Sequence, residues 1–79
     1  MKVRILNSTN EKIKEFIGEE RNYFQMYGCA CLENLTEPGY GIRTSKLITE
    51  KREGNIITIK TKNSDYELEV LDEVDNENN

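Results

Sequence analysis

Arg43, Thr44, Ser45 and Lys46 place two cations and two hydroxyls in four consecutive positions. Such a set suits phosphate or carboxylate capture, because hydrogen bonds from charged donors are stronger than neutral ones. Thr58, Lys60 and Thr61 can add donors from a neighbouring segment. A plainer account is available: threonine is a good strand residue, and the charges keep the surface wet. Tyrosines are the second resource, at Tyr23, Tyr27, Tyr40 and Tyr66 in a chain without tryptophan. Tyrosine offers flat contact area and a polar tip for stacking on a base or anchoring a protein. For Tyr27 and Tyr66, core packing is the expected role ahead of binding. Tyr40 follows the turn Thr36-Glu37-Pro38-Gly39 and is the tyrosine least committed to a core. The candidate binding set is therefore Tyr40, Arg43, Thr44, Ser45, Lys46 and Lys60.

Thiol and acid–base chemistry have less to work with. Cys29 and Cys31 form C-x-C, and the chain has no histidine, so one chain cannot supply the four ligands of a structural zinc site. Cysteines two apart on a strand lie too far apart for a relaxed disulfide. Reduced thiols filling one face of a strand are expected instead. Without histidine, proton transfer falls to carboxylates, lysine or tyrosine in a shaped cavity. Glu19-Glu20 and Glu67-x-Glu69 read as solvated faces, Ser45 and Ser64 have no base nearby, and no glycine-rich phosphate loop is present. The expectation is a binding module and not an enzyme, with no cofactor and no metal.

Charge is uneven along the chain. The net charge is −4, but Asp72, Glu73, Asp75 and Glu77 carry all of it, since residues 1–71 hold eleven bases against eleven acids. Residues 41–62 carry six bases against two acids, a local +4. Clustering of this kind attracts an anion or an acidic surface, although lysines also guard sheet edges against self-association. Long nucleic acid is disfavoured, because +4 on one hairpin is modest and the acidic tail repels phosphate. No apolar run is long enough to span a membrane, and the first residues lack a signal-peptide core. A cytoplasmic protein with no membrane partner is expected.

Three strands and two tight turns must position these residues. Glu53-Gly54-Asn55 and Asn63-Ser64-Asp65 are turn sequences. Between them Ile57, Ile59 and Thr61 share one face, and after them Tyr66, Leu68 and Val70 share another. Upstream, Lys2–Leu6 reads as a strand. Ser8 and Glu11 fit a capping box, with Ile13, Phe16 and Ile17 as the apolar stripe of a short amphipathic helix. Residues 23–35 read as one strand bent at Gly28, with Tyr27, Cys29, Cys31 and Glu33 on one side. The expected fold is α+β, in the order β-α-β-β-β-β. A small curled antiparallel sheet or barrel carries one helix as a lid, over residues 1–72. Residues 73–79 form a disordered acidic tail. At 79 residues the core is thin, so a homo-oligomer is expected.

The run Thr44-Ser45-x-Leu47-Ile48, followed by Ile59-x-Thr61-x-Asn63-Ser64-x-Tyr66-x-Leu68, resembles the C-terminal ending of small uncharacterised phage-type proteins. The resemblance covers residues 42–70 and consists of strand and turn chemistry. It implies a mobile-element setting, in the host cell cytoplasm, and a counter-defence role by stoichiometric binding. One mechanism masks a host defence protein. Another sequesters an anionic nucleotide signal, with Arg43, Lys46 and tyrosines around it. A structural or regulatory role unconnected with defence is the third alternative.

Overall fold

The computed structural model describes residues 1–73; all of the expected tail beyond Glu73 lies outside them. Six strands follow one another: β1 (Lys2–Ser8), β2 (Glu20–Met26), β3 (Cys29–Asn34), β4 (Gly41–Glu53), β5 (Ile56–Thr61) and β6 (Asp65–Asp72). Each pairs antiparallel with the next, and β6 pairs back onto β1, closing a barrel. Period-two alternation sends Val3, Ile5, Tyr23, Ala30, Leu32, Ile57, Ile59, Tyr66, Leu68 and Val70 inward as one core. The outward positions carry charge instead: Arg4 reaches both Glu20 (3.2 Å) and Glu69 (2.9 Å), joining β1 to its two neighbours.

The α+β expectation is corrected: among the described residues the fold is almost entirely sheet, and no α-helix forms. Residues 10–17 make successive i→i+3 bonds, including Phe16 N–H to Ile13 O (2.8 Å), and only Lys14–Phe16 is helical, as one 3₁₀ turn. The physical reason is the short return path. Ile5 and Gly18–Glu19 exchange backbone bonds (Gly18 N–H to Ile5 O, 2.7 Å; Ile5 N–H to Glu19 O, 3.0 Å), so the chain must double back beside β1 at once. A helix this short does not repay its nucleation cost. Ser8 starts no helix: its hydroxyl accepts from Asn10 N–H (3.1 Å) and donates to the Asp65 carbonyl (3.0 Å), which helps seal β1 against β6. Ile13 still plugs the barrel, and Phe16 packs against it.

The bent strand over 23–35 is likewise two strands. Tyr27 (φ 54°) and Gly28 (φ 74°) are both left-handed, as a two-residue hairpin turn requires. β4, at 13 residues, owes its course round the barrel to two bulges. Thr44 and Ser45 together face Ala30 of β3, and Ile48 is the extra residue opposite β5. Bulges of this kind bend a strand and increase its twist.

Candidate functional site

Outward-facing residues of β2, β3 and β4 stand in cross-strand rows. Phe24 is registered against Cys31, and Cys31 against Arg43. The next rows are Met26–Cys29–Lys46 on one side and Asn22–Glu33–Gly41 on the other. Gly41 has no side chain, so the sheet surface is hollow there. The hollow is a shallow open groove of about 360 Å³, lined by Phe24, Met26, Cys31, Glu33, Tyr40 and Arg43. Its rim is built by a turn in which Pro38 supplies the fixed φ and Gly39 (φ +91°) the left-handed position, closed by Tyr40 N–H to Glu37 O (3.1 Å). The Glu33 carboxylate accepts from Gly39 N–H (3.1 Å) and holds that turn against β3. Tyr40 is thereby presented with 69% of its surface exposed.

Electrostatically the face is basic at one end. Arg43 and Lys46 are exposed and make no ion pair among the described residues. Burial pushes the Cys31 thiol up from its ordinary value, and the Arg43 guanidinium beside it pulls the other way. Both cysteines are free thiols, and Cys31 lies in the outer groove outside the core cluster.

The structure divides the sequence-derived binding set. Tyr40 and Arg43 meet in the groove, and Lys46 lies in the adjoining row. Thr44 is buried, and its hydroxyl accepts from Ala30 N–H (3.0 Å) and donates to the Ser45 carbonyl (2.7 Å). It thus replaces the ladder bond that the bulge removes. The Ser45 hydroxyl donates to Thr61 Oγ1 (2.9 Å) and accepts from Asn63 N–H (3.0 Å). Both hydroxyls are occupied with holding β4 to its neighbours. Lys60 is exposed on β5, registered against Thr49 and Asp65, and is not part of the groove.

No family model, curated protein or solved structure matches this chain.

Phe24, Met26, Cys31 and Glu33 complete the groove and are absent from the sequence-derived set. Alternation already places Cys31 and Glu33 on one face; the hidden part is that β2 lies beside β3 and brings Phe24 and Met26 to the same face. Tyr27, at the adjacent hairpin tip, is 83% exposed, whereas Tyr23 and Tyr66 are buried. Among the described residues no helix is long and apolar enough to cross a membrane.

Proposed function

We propose that this chain is a non-catalytic binding protein that docks the outer face of β2, β3 and β4 on an acidic patch of a partner protein. On the resemblance of residues 42–70, that partner is a host defence protein, masked by stoichiometric binding. The observation that supports the reading is the groove itself: a concave, half-apolar surface with Tyr40 on its rim and Arg43 free of any ion pair among the described residues. Interfaces concentrate their energy in exposed aromatic, methionine and arginine side chains of this kind. Arg43 and Lys46, without an ion pair among the described residues, favour an acidic counterpart and a faster encounter.

Sequestration of an anionic nucleotide is the second reading, favoured by Arg43 beside Phe24 and Tyr40. Against it, the hydroxyls of Thr44 and Ser45 are already bonded within the barrel, and Lys60 stands on another strand. Quantitative capture separates the two. Immobilised protein should retain one host protein in stoichiometric amount, lost on Tyr40→Ala or Arg43→Ala and kept on Lys12→Ala. Calorimetry with cyclic and linear nucleotides should show no heat. Saturable heat that vanishes in Arg43→Ala would overturn the protein-docking reading.

A further inference from the structure

Barrel closure leaves one stretch of edge open. β3 is paired with β4 only as far as Lys46, and the last link is Leu47 N–H to the Gly28 carbonyl (2.7 Å). β5 continues beside β4 to Glu53. Among the described residues, residues 48–53 thus have a partner strand on one side only, and all six are exposed. Ile48, the extra residue of the bulge, is 61% exposed. An unpaired strand edge is a template for another strand.

Natural edges are blunted by charged side chains, lysine above all, by bulges and by inward-pointing charges. This one has a bulge at Ile48 and four charged residues, but its charges are of both signs. Its charged run is Glu50-Lys51-Arg52-Glu53, two bases between two acids, which sums to zero. We propose that this edge pairs with the same edge of a second copy of the chain, antiparallel about a two-fold axis normal to the sheet. Such an axis sets residues of one face opposite residues of the same face. The register centred on Arg52 puts Lys51 opposite Glu53 of the partner subunit, twice. It has two opposite-charge pairs against one like pair on the axis, where each Arg52 keeps its own Glu73 at 2.8 Å, and opposite charges directly across strands are stabilising. Self-complementarity of this kind singles out a second copy from other strands. The inference is independent of the docking reading, because the groove uses outward side chains of β2–β4 and the dimer uses the backbone edge of residues 48–53.

Charge inversion tests it. Lys51→Glu makes the run net −2 and Glu53→Lys makes it net +2, and both positions are exposed. Light scattering should find wild-type protein moving from monomer to dimer as concentration rises to about 100 µM. Each variant should keep the strand circular dichroism signal and raise the dimer Kd at least tenfold. An equimolar mixture of the two variants should dimerise again, since the opposed runs now attract. Wild-type protein that stays monomeric at that concentration would overturn the proposal and leave the edge to a strand of another protein. Dimers that persist equally in both variants, or a mixture that stays monomeric, would also overturn it.

Discussion

The Tyr23 hydroxyl donates to the Glu50 carboxylate, joining β2 to β4, two strands that share no ladder. The Gln25 amide donates to both partners, to Tyr23 Oη at 3.1 Å and to Glu50 Oε2 at 3.0 Å. The inward face of β4 changes chemistry at this point, from Thr44 and Leu47 to Glu50 and Arg52. This part of β4 has run past β3, so its inward positions meet water and not a core. Burial, and then the carboxylate it donates to, raise the Tyr23 phenol above its ordinary range. The folded state therefore favours the neutral phenol. Its contribution is complete below about pH 10 and is lost as pH climbs through the higher folded value. Tyr23→Phe should cost about 1 kcal/mol at neutral pH, because exposed Glu50 can return to water. It should also remove part of the alkaline loss of stability. Urea melts from neutral to strongly alkaline pH check both, and an unchanged alkaline profile in the variant would assign the loss to another group.

Arg21 is the one charged side chain buried among the described residues, at 5% exposure. It faces into the barrel end, pairs with Glu19 at 2.7 Å and lies 5.2 Å from the centre of the Phe16 ring. Its stem fills space and its head finds a carboxylate and a π face. Arg21→Ala should destabilise by about 2 kcal/mol, most of it lost packing, since half-exposed Glu19 is not stranded. Arg21→Met keeps the stem and should cost about half as much. Thermal melts of the two variants separate packing from charge, and equal losses would put the energy in the ion pair.

Much of the sheet is legible in the alternation of β5 and β6, where Ile57, Ile59, Thr61, Tyr66, Leu68 and Val70 fall inward as their spacing dictates. The helix is not, because Ile13, Phe16 and Ile17 carry helical spacing over a stretch too short to nucleate. Only the Ile5 to Gly18–Glu19 pairing, a tertiary constraint, shows that the chain must turn back. The hairpin at Tyr27-Gly28 is hidden for a different reason: tyrosine seldom takes a left-handed position, so the usual Asn-Gly signal is missing. Thr44-Ser45 presents a subtler case. Their hydroxyls advertise binding in the sequence, yet they serve a bulge that is visible only once β3 is laid beside β4.

The two thiols should respond differently to an alkylating agent. Cys31 is buried and its thiol is pushed up by that burial, while Cys29 is partly exposed, with its Sγ 3.8 Å from the Tyr27 carbonyl. Thiolate, not thiol, is the reactive form, so Cys29 should be modified first at neutral pH. Cys31→Ala should cost about 1 kcal/mol, since the side chain packs at the groove floor and not in the core. Mass spectrometry over a time course decides the order; Cys31 reacting first would show that Arg43 outweighs burial.

Gly41 should be the least replaceable residue of the candidate site. A Cβ there would strike the Leu32 carbonyl oxygen and lie 2.8 Å from Glu33 Cα, backbone atoms of β3 that cannot swing aside. Gly41→Ala must push β3 and β4 apart, at a cost of about 1–3 kcal/mol. It would also displace Tyr40 and Arg43, which lie on either side of the position in the chain. Gly39 is the control. A Cβ there meets nothing within 4 Å, so only its left-handed φ of +91° opposes substitution. Gly39→Ala should cost about 1 kcal/mol by backbone conformation alone and leave the β3–β4 ladder intact. Amide exchange reads the difference directly. Protection at Leu32 and Asn34 should fall in Gly41→Ala and hold in Gly39→Ala. If Gly41→Ala melts with wild-type stability and keeps that protection, the close approach of the two strands is not what glycine serves there.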